Sequence, residues 1–226
     1  MNLHLFSTPG RDGLEDILDV CRQVSKGRED PLVAYLPAAS LSSRWQEFTE
    51  NAFLGLARVA TINTELQTLV EMEAILREAA MVYIPGGNTF LLNHRLHMSR
   101  IMEYLRKKVT AGLPLVAFSA GTVLCGPNIL TSKDMNMVGT SHFSGLNAAL
   151  FNFCVHYPAD EYSRFGMDDW LSDYHVFHDN PVILLSDGAY LHIEGKKTIL
   201  VRGNAWILRK GQDKQKLTPG LTIPTI

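Results

Sequence analysis

Ser119 ends the apolar run 115–118 and is followed by Ala120 and Gly121. A serine on a sharp strand-to-helix turn, with small residues two positions to either side (here Ala117 and Gly121), has the make-up of a nucleophile elbow. The two backbones nearly touch there, and the hydroxyl is presented above the sheet edge. Such a hydroxyl attacks a carbonyl only if a base takes its proton, a third group orients that base, and N–H donors meet the charge developing on oxygen. The amide of Ala120, directly after the serine, is one donor candidate. Gly86 and Gly87, which close the apolar run 81–84, are the source of the other, because bare backbone can approach the same oxygen. No GxGxxG or Walker pattern accompanies the glycine pair, so the sequence does not support nucleotide binding.

Eight histidines compete for the role of base. His4 falls within the first apolar run, His94 and His97 in a helical stretch, and His175, His178 and His192 in or beside later segments. His156 ends the apolar run 151–155 just before Tyr157 and Pro158, at the kind of strand terminus where sites of open α/β sheets collect. It is the leading candidate, with His142 second. Asp187 follows the run 182–185 and precedes Gly188, which fits the orienting acid. Each feature alone is more often structural: an S-x-G triplet in an ordinary turn, a glycine pair making a bend, a turn aspartate bonded to its own backbone. Their joint occurrence at strand ends, in the order Ser, His, Asp, points to acyl transfer. That order also differs from the Ser, acid, His order of α/β-hydrolases.

The elements that must hold these residues follow from the spacing of apolar positions. Runs at 3–6, 32–36, 59–62, 81–84 and 115–118 read as buried strands. Between them, Leu14, Ile17, Leu18, Cys21 and Val24 recur at helical steps, as do Trp45, Phe48, Ala52 and Leu56, and then Leu66, Leu69, Ala74, Ile75 and Leu76. A further helix starts near Thr89. The alternation predicts an α/β fold, a three-layer sandwich around a central, mostly parallel sheet. After residue 140 short strand candidates at 151–155, 182–185, 190–193, 199–201 and 206–208 follow one another closely, so the C-terminal part is expected to be richer in hairpins. One domain over residues 1–210 is expected, followed by a loosely held polar tail over 211–226.

Composition narrows the classes. The chain has 226 residues, 46% of them apolar and 19% charged, enough to bury a core without disulfides. Lys and Arg total 21 against 23 Asp and Glu, so the net charge of −2 gives no general attraction to nucleic acid or anionic membrane. The longest mostly apolar stretch, 113–125, is broken by Pro114, Ser119, Gly121 and Thr122 and is too short to span a bilayer. The first seven residues lack the pattern of a secretion signal. Cys21, Cys125 and Cys154, odd in number and without CxxC spacing, suit reduced thiols, so a cytoplasmic location is expected and no metal site or cofactor is implied.

The motifs resemble the aspartyl dipeptidase (peptidase E) and cyanophycinase family of serine peptidases, whose fold is similar to class I glutamine amidotransferase domains. Residues 86–90, GGNTF, look like the family's GGGNTF turn; Ser119-Ala120-Gly121 looks like its SAG nucleophile motif; residues 131–135 resemble its T-x-x-D-M segment. His156 falls where the family has its histidine, Asp187-Gly188 where its acid precedes a glycine, and 203–208 resembles its closing hairpin. The resemblance implies Ser119 as nucleophile, His156 as general base and acid, Asp187 as the orienting carboxylate, and the amides of Gly87 and Ala120 as oxyanion hole beside Gly86. The sequence departs from the family at Pro85 (Gly), Ala117 (Gly), Val123 (Asn) and Asp187 (Glu). The expected function is hydrolysis of dipeptides or short peptides, or of another small amide, through an acyl-enzyme, by a monomer or homodimer. A catalytically inactive binding or regulatory homologue, and a non-peptidase amide hydrolase using the same residues, are the alternatives.

Substrate preference turns on the stretch between His156 and Asp187. Asp160, Glu161, Asp168, Asp169, Asp173 and Asp179 stand there against Arg164, interleaved with Tyr162, Phe165, Trp170, Tyr174 and Phe177. At the border of the cleft these carboxylates would repel an acidic substrate side chain. On the outer face of a covering helix they would be solvated and have no bearing on it.

Overall fold

A computed structural model describes residues 1–9 and 14–223. The buried apolar runs form strands and the amphipathic stretches form the helices between them: β1 (Asn2–Phe6), α1 (Glu15–Val24), β2 (Leu32–Tyr35), α2 (Arg44–Phe53), β3 (Arg58–Thr61), α3 (Leu69–Glu78), β4 (Met81–Ile84), α4 (Thr89–Met98), α5 (Ile101–Thr110), β5 (Leu115–Phe118) and α6 (Ala120–Leu124). A seven-stranded sheet has the order β3-β2-β4-β5-β1-β8-β9, closed on one side by the hairpin of β8 (Tyr190–Glu194) and β9 (Lys197–Arg202). The strands from β3 to β1 run parallel, and β8 and β9 are antiparallel additions.

Side chains alternate between the two faces of this sheet, as the two-residue period of a strand requires. Val33, Tyr35, Met81, Tyr83 and Val116 pack with Ile17, Leu18, Cys21 and Phe53 of α1 and α2. Their neighbours Ala34, Val82, Ile84, Leu115 and Ala117 pack on the other face with Met72, Leu76, Leu92, Leu96 and Leu105 of α3, α4 and α5. The fold is therefore the expected three-layer α/β sandwich. α2 ends at Phe53, so Leu56 lies beyond it, and its Trp45 and Phe48 are half-exposed instead of joining the core. Leu66 precedes α3 and is exposed.

The C-terminal part builds a second sheet. β6 (Asn152–Cys154), β7 (Val182–Leu185), β10 (Ala205–Leu208) and β11 (Gln215–Lys216) stand in the order β11-β10-β7-β6, with β6 and β7 parallel and the other pairs antiparallel. Phe153, Ile183, Leu185, Ala205 and Ile207 face the main core. The opposite face carries Cys154, Val182, Leu184 and Trp206 and is covered by Met167, Leu171 and Tyr174 of α7 (Glu161–Phe177). The tail is held more firmly than its polarity suggests. β11 pairs with β10, Ile199 and Thr222 form an isolated bridge, Lys214 pairs with Asp168, and Ile223 is buried. Residues 224–226 of the expected tail lie outside the described residues. Among the described residues no helix is long and apolar enough to cross a membrane.

Candidate active site

β5 delivers Ser119 into a turn with φ 51° and ψ −116°, a left-handed backbone region that costs a non-glycine residue about 1–3 kcal/mol. The surroundings hold it there. The Ser119 amide donates to the Phe6 carbonyl at the end of β1 (3.1 Å). The Thr122 hydroxyl, one turn on, donates to the carbonyls of Phe6 (2.8 Å) and Ala117 (3.1 Å). The small flanking residues are a steric necessity: a Cβ on Gly121 would fall against the Ile84 carbonyl oxygen and lie 3.1 Å from the Ala117 Cβ.

His156 and Asp187 arrive from the other sheet. β6 and β7 are parallel neighbours, and their C-terminal ends place the two residues side by side, with the Tyr157 amide donating to the Leu185 carbonyl (2.9 Å). His156 Nδ1 lies 2.6 Å from Asp187 Oδ1, and Ser119 Oγ lies 2.9 Å from His156 Nε2. An ionised carboxylate only accepts, so the imidazole proton sits on Nδ1. Nε2 of the neutral ring is then an acceptor, and the Ser119 hydroxyl donates to it. His156, like Ser119, has positive φ (54°). Both ring and carboxylate are substantially open to solvent, with side-chain exposures of 42% and 64%.

Ser7, just past β1, belongs to the same constellation and was not singled out from sequence. Its Oγ accepts the backbone N–H of His156 (2.9 Å) and donates to Asp187 Oδ1 (3.2 Å). Next to it, Thr8 Oγ1 accepts the Gly188 amide (3.0 Å), and the Ser7 amide donates to the Ala189 carbonyl (3.1 Å). The main sheet thus fixes both the Ser119 turn and the Asp187 turn from one strand end. A serine beside a strand terminus carries no local signal of this; only the pairing of β1 with β5 and β8 creates it.

Gly86 and Gly87 lie beside Ser119. A Cβ on Gly86 would lie 2.7 Å from the Phe118 ring and 3.0 Å from Ser119 Cβ, and Gly87 has φ 139° with its Cα turned against the Ala39 carbonyl. Neither position admits a side chain. The next residue, Asn88, caps α4 by accepting the Leu91 amide (2.9 Å), and its side-chain amide donates to the Met135 carbonyl (2.9 Å). Asp134 accepts the Thr89 amide (2.7 Å). The GGNTF and T-x-x-D-M segments therefore clasp each other, although neither holds a group in the Ser119–His156–Asp187 chain of hydrogen bonds.

Most of the other histidines are engaged elsewhere, His178 stacking on Tyr174, whereas His94 has no partner for its buried Nδ1 among the described residues. The His142 ring stacks on His97 at 4.8 Å between centroids, His192 bonds to Asn2, His4 to Tyr190, and His175 to the Asn180 carbonyl. No thiol replaces the hydroxyl as a nucleophile in the core: burial pushes Cys154 up to about 12 and Cys125 higher still. Among the described residues no three His, Cys, Asp or Glu side chains converge as metal ligands would.

Two clefts meet at Ser119 and His156. One, of about 120 Å³, is lined by Thr89, Thr131, Ser132, Lys133 and Asp134, with Val123 and Val155 at its wall. The other, of about 440 Å³, is largely aromatic. Neither includes a residue of α7, whose Tyr162, Phe165 and Phe177 are exposed, so the acidic stretch forms a solvated outer face. Two of its carboxylates are matched by lysines at the C-terminal end, Asp168 by Lys214 of the tail and Asp179 by Lys210 just before it (2.8 Å).

The chain is similar to known proteins over most of its length. The model of Peptidase family S51 matches residues 4–201. A protein of Nostoc sp. named "Peptidase E" is 28% identical over 91% of this chain and 88% of its own. A protein of Drosophila melanogaster named "Probable alpha-aspartyl dipeptidase" is 31% identical over 68% of this chain and 67% of its own. The crystal structure of a peptidase from an acI-B1 actinobacterium superposes with a TM-score of 0.72 at 17% identity, covering 99% of this chain and 96% of that one, and so shares its fold. The chain belongs to peptidase family S51, a family of serine peptidases.

Proposed function

We propose that this S51 peptidase cleaves dipeptides or short peptides through an acyl-enzyme, with Ser119 as nucleophile, His156 as general base and then general acid, and Asp187 as the group that orients the imidazole. The observation that carries the reading is the unbroken chain Ser119 Oγ to His156 Nε2 (2.9 Å) and His156 Nδ1 to Asp187 Oδ1 (2.6 Å). As Ser119 Oγ bonds to the peptide carbonyl carbon, its proton passes to Nε2, and the imidazolium is stabilised by Asp187. The tetrahedral oxyanion is received by the amides of Gly87 and Ala120, with Gly86 leaving the approach clear. Collapse expels the amine, which takes the proton from Nε2; water then repeats the sequence on the ester, regenerating Ser119. Removing one oxyanion donor costs about 3 kcal/mol in comparable sites.

The name of the Drosophila relative, a probable alpha-aspartyl dipeptidase, supports a dipeptide substrate, and every group the mechanism uses comes from one chain, so a monomer or a homodimer would serve. Three buried, unpaired cysteines suit a reducing compartment, and the cytoplasm is the location proposed. Balanced charge supports a peptide partner rather than nucleic acid. The test is amine release from a panel of dipeptides. The wild-type protein turns over at least one of them, and Ser119→Ala lowers kcat by a factor on the order of 10⁴ or more. Hydrolysis that survives Ser119→Ala would overturn the assignment.

A further inference from the structure

We propose that the larger cleft beside Ser119 is a specificity pocket for a bulky apolar side chain, aromatic or branched, on one of the two residues joined by the scissile bond. The inference rests on the serine-peptidase reading and adds the substrate class to it. Phe118, at the end of β5, lies on the cleft with Trp45 and Phe48 of α2 at its rim, and the buried Tyr35 and Tyr83, from the ends of the neighbouring strands β2 and β4, back its inner side. The rings are already arranged as aromatic neighbours: Tyr35 and Tyr83 stack at 5.4 Å, Tyr83 and Phe118 are tilted at 6.3 Å, and Trp45 and Phe48 meet edge to face at 5.8 Å. Gly86, Ser119 and His156 lie on the same cleft, so a side chain entering it belongs to a residue whose carbonyl or amide is at the nucleophile.

Three features favour an apolar occupant. The cleft's volume of about 440 Å³ accommodates any natural side chain. Among the described residues its lining contains no Lys, Arg, Asp or Glu, so against those residues a substrate carboxylate loses water without gaining a charged partner. Trp45 and Phe48 are each 47% exposed, although the spacing of their helix would otherwise turn them to the core. An apolar side chain in the cleft removes these rings from water, which is the driving force for binding. The other cleft at Ser119, with Lys133 and Asp134, supplies charged partners for the other end of a dipeptide.

The experiment compares kcat/KM of the full chain on two dipeptide series, X-Gly and Gly-X, with X as Phe, Leu, Ala or Asp. In one series Phe and Leu are expected to exceed both Ala and Asp by at least about tenfold. The Phe-to-Ala ratio in that series should fall several-fold in Phe48→Ala and in Trp45→Ala, a change that loss of stability alone would not produce. Asp ranking above Phe in both series, or equal rates for Phe and Ala in both, would overturn the pocket. If no dipeptide is cleaved, the peptidase reading fails separately, and the pocket is read by tryptophan fluorescence of Ser119→Ala titrated with the same peptides. Quenching by a Phe dipeptide and not by the Asp one, lost in Ser119→Ala/Trp45→Phe, supports it; no quenching by either Phe dipeptide contradicts it.

Discussion

Ser119, His156 and Asp187 were readable as candidates because each follows a short apolar run and stands at a turn, which is a local signal. Ser7 was not, because its role arises only when the end of β1 lies between the Ser119 turn and the Asp187 turn. Its hydroxyl bridges the His156 backbone N–H and the Asp187 carboxylate, at 2.9 and 3.2 Å. A hydrogen bond to a charged group contributes about 1.5–3 kcal/mol. Part of that is expected to appear as orientation of Asp187. Ser7→Ala should therefore lower kcat by roughly tenfold to a hundredfold with a smaller change in KM, and Ser7→Thr should recover part of the loss. Steady-state kinetics of the two variants on one dipeptide check this; an Ala variant with unaltered kcat would make Ser7 a purely structural residue.

At the level of elements, apolar periodicity located the parallel strands of the main sheet and the first three helices but not α5, and it failed where tertiary context decides. The face of α2 carrying Trp45 and Phe48 looks like a core stripe, yet it is half-exposed over a cleft. Periodicity also cannot say which sheet a strand joins. β6 and β7 read only as short strands of a hairpin-rich part, and the fold pairs them with β10 and β11 in a second sheet. β11 has only two polar residues and no apolar pattern to announce it. The β5–α6 elbow, in contrast, is fixed by sterics that the sequence shows directly: Gly121 is the residue whose Cα passes the Ile84 carbonyl of β4. Because that neighbour is backbone in a central strand, it cannot rotate away. Gly121→Ala should destabilise the protein by about 2 kcal/mol or more, seen as a lower urea midpoint, and should cost activity beyond the loss of folded protein. A midpoint unchanged from wild type would show that the elbow has slack.

For the whole molecule, the central consequence of having two sheets is that the site spans their junction. Ser119 and Ser7 belong to the seven-stranded sheet, His156 and Asp187 to the four-stranded one, and a shared apolar core that includes Ala117, Leu124, Phe153 and Leu185 holds the two in register. Anything that loosens the main sheet should therefore reach the site. His4, buried in the middle of β1, is such a point. Burial, and then the proximity of His192, lowers its pKa from 6.5 to about 3, and its Nε2 has no hydrogen-bond partner among the described residues. The unfolded chain takes up this proton below about pH 6.5, whereas the folded chain resists it until about pH 3. Stability from this group is complete above the unfolded value and is lost as pH falls through the interval, by at most about 1.4 kcal/mol per pH unit. Urea midpoints from pH 7 to pH 4 should fall less steeply in His4→Gln than in wild type, whatever the variant's stability at pH 7. Parallel slopes would mean that His4 is protonated as readily in the fold as in the open chain.

Every other role in the mechanism depends on the activation of Ser119 by His156. The direct measurement is peptide mapping by mass spectrometry after treatment with a fluorophosphonate, on wild type, Ser119→Ala and His156→Ala, each shown to be folded. One adduct, on Ser119, is expected; it should be absent in Ser119→Ala and form at least about a hundredfold more slowly in His156→Ala. An unlabelled wild-type Ser119, or labelling at the same rate without His156, would contradict the mechanism.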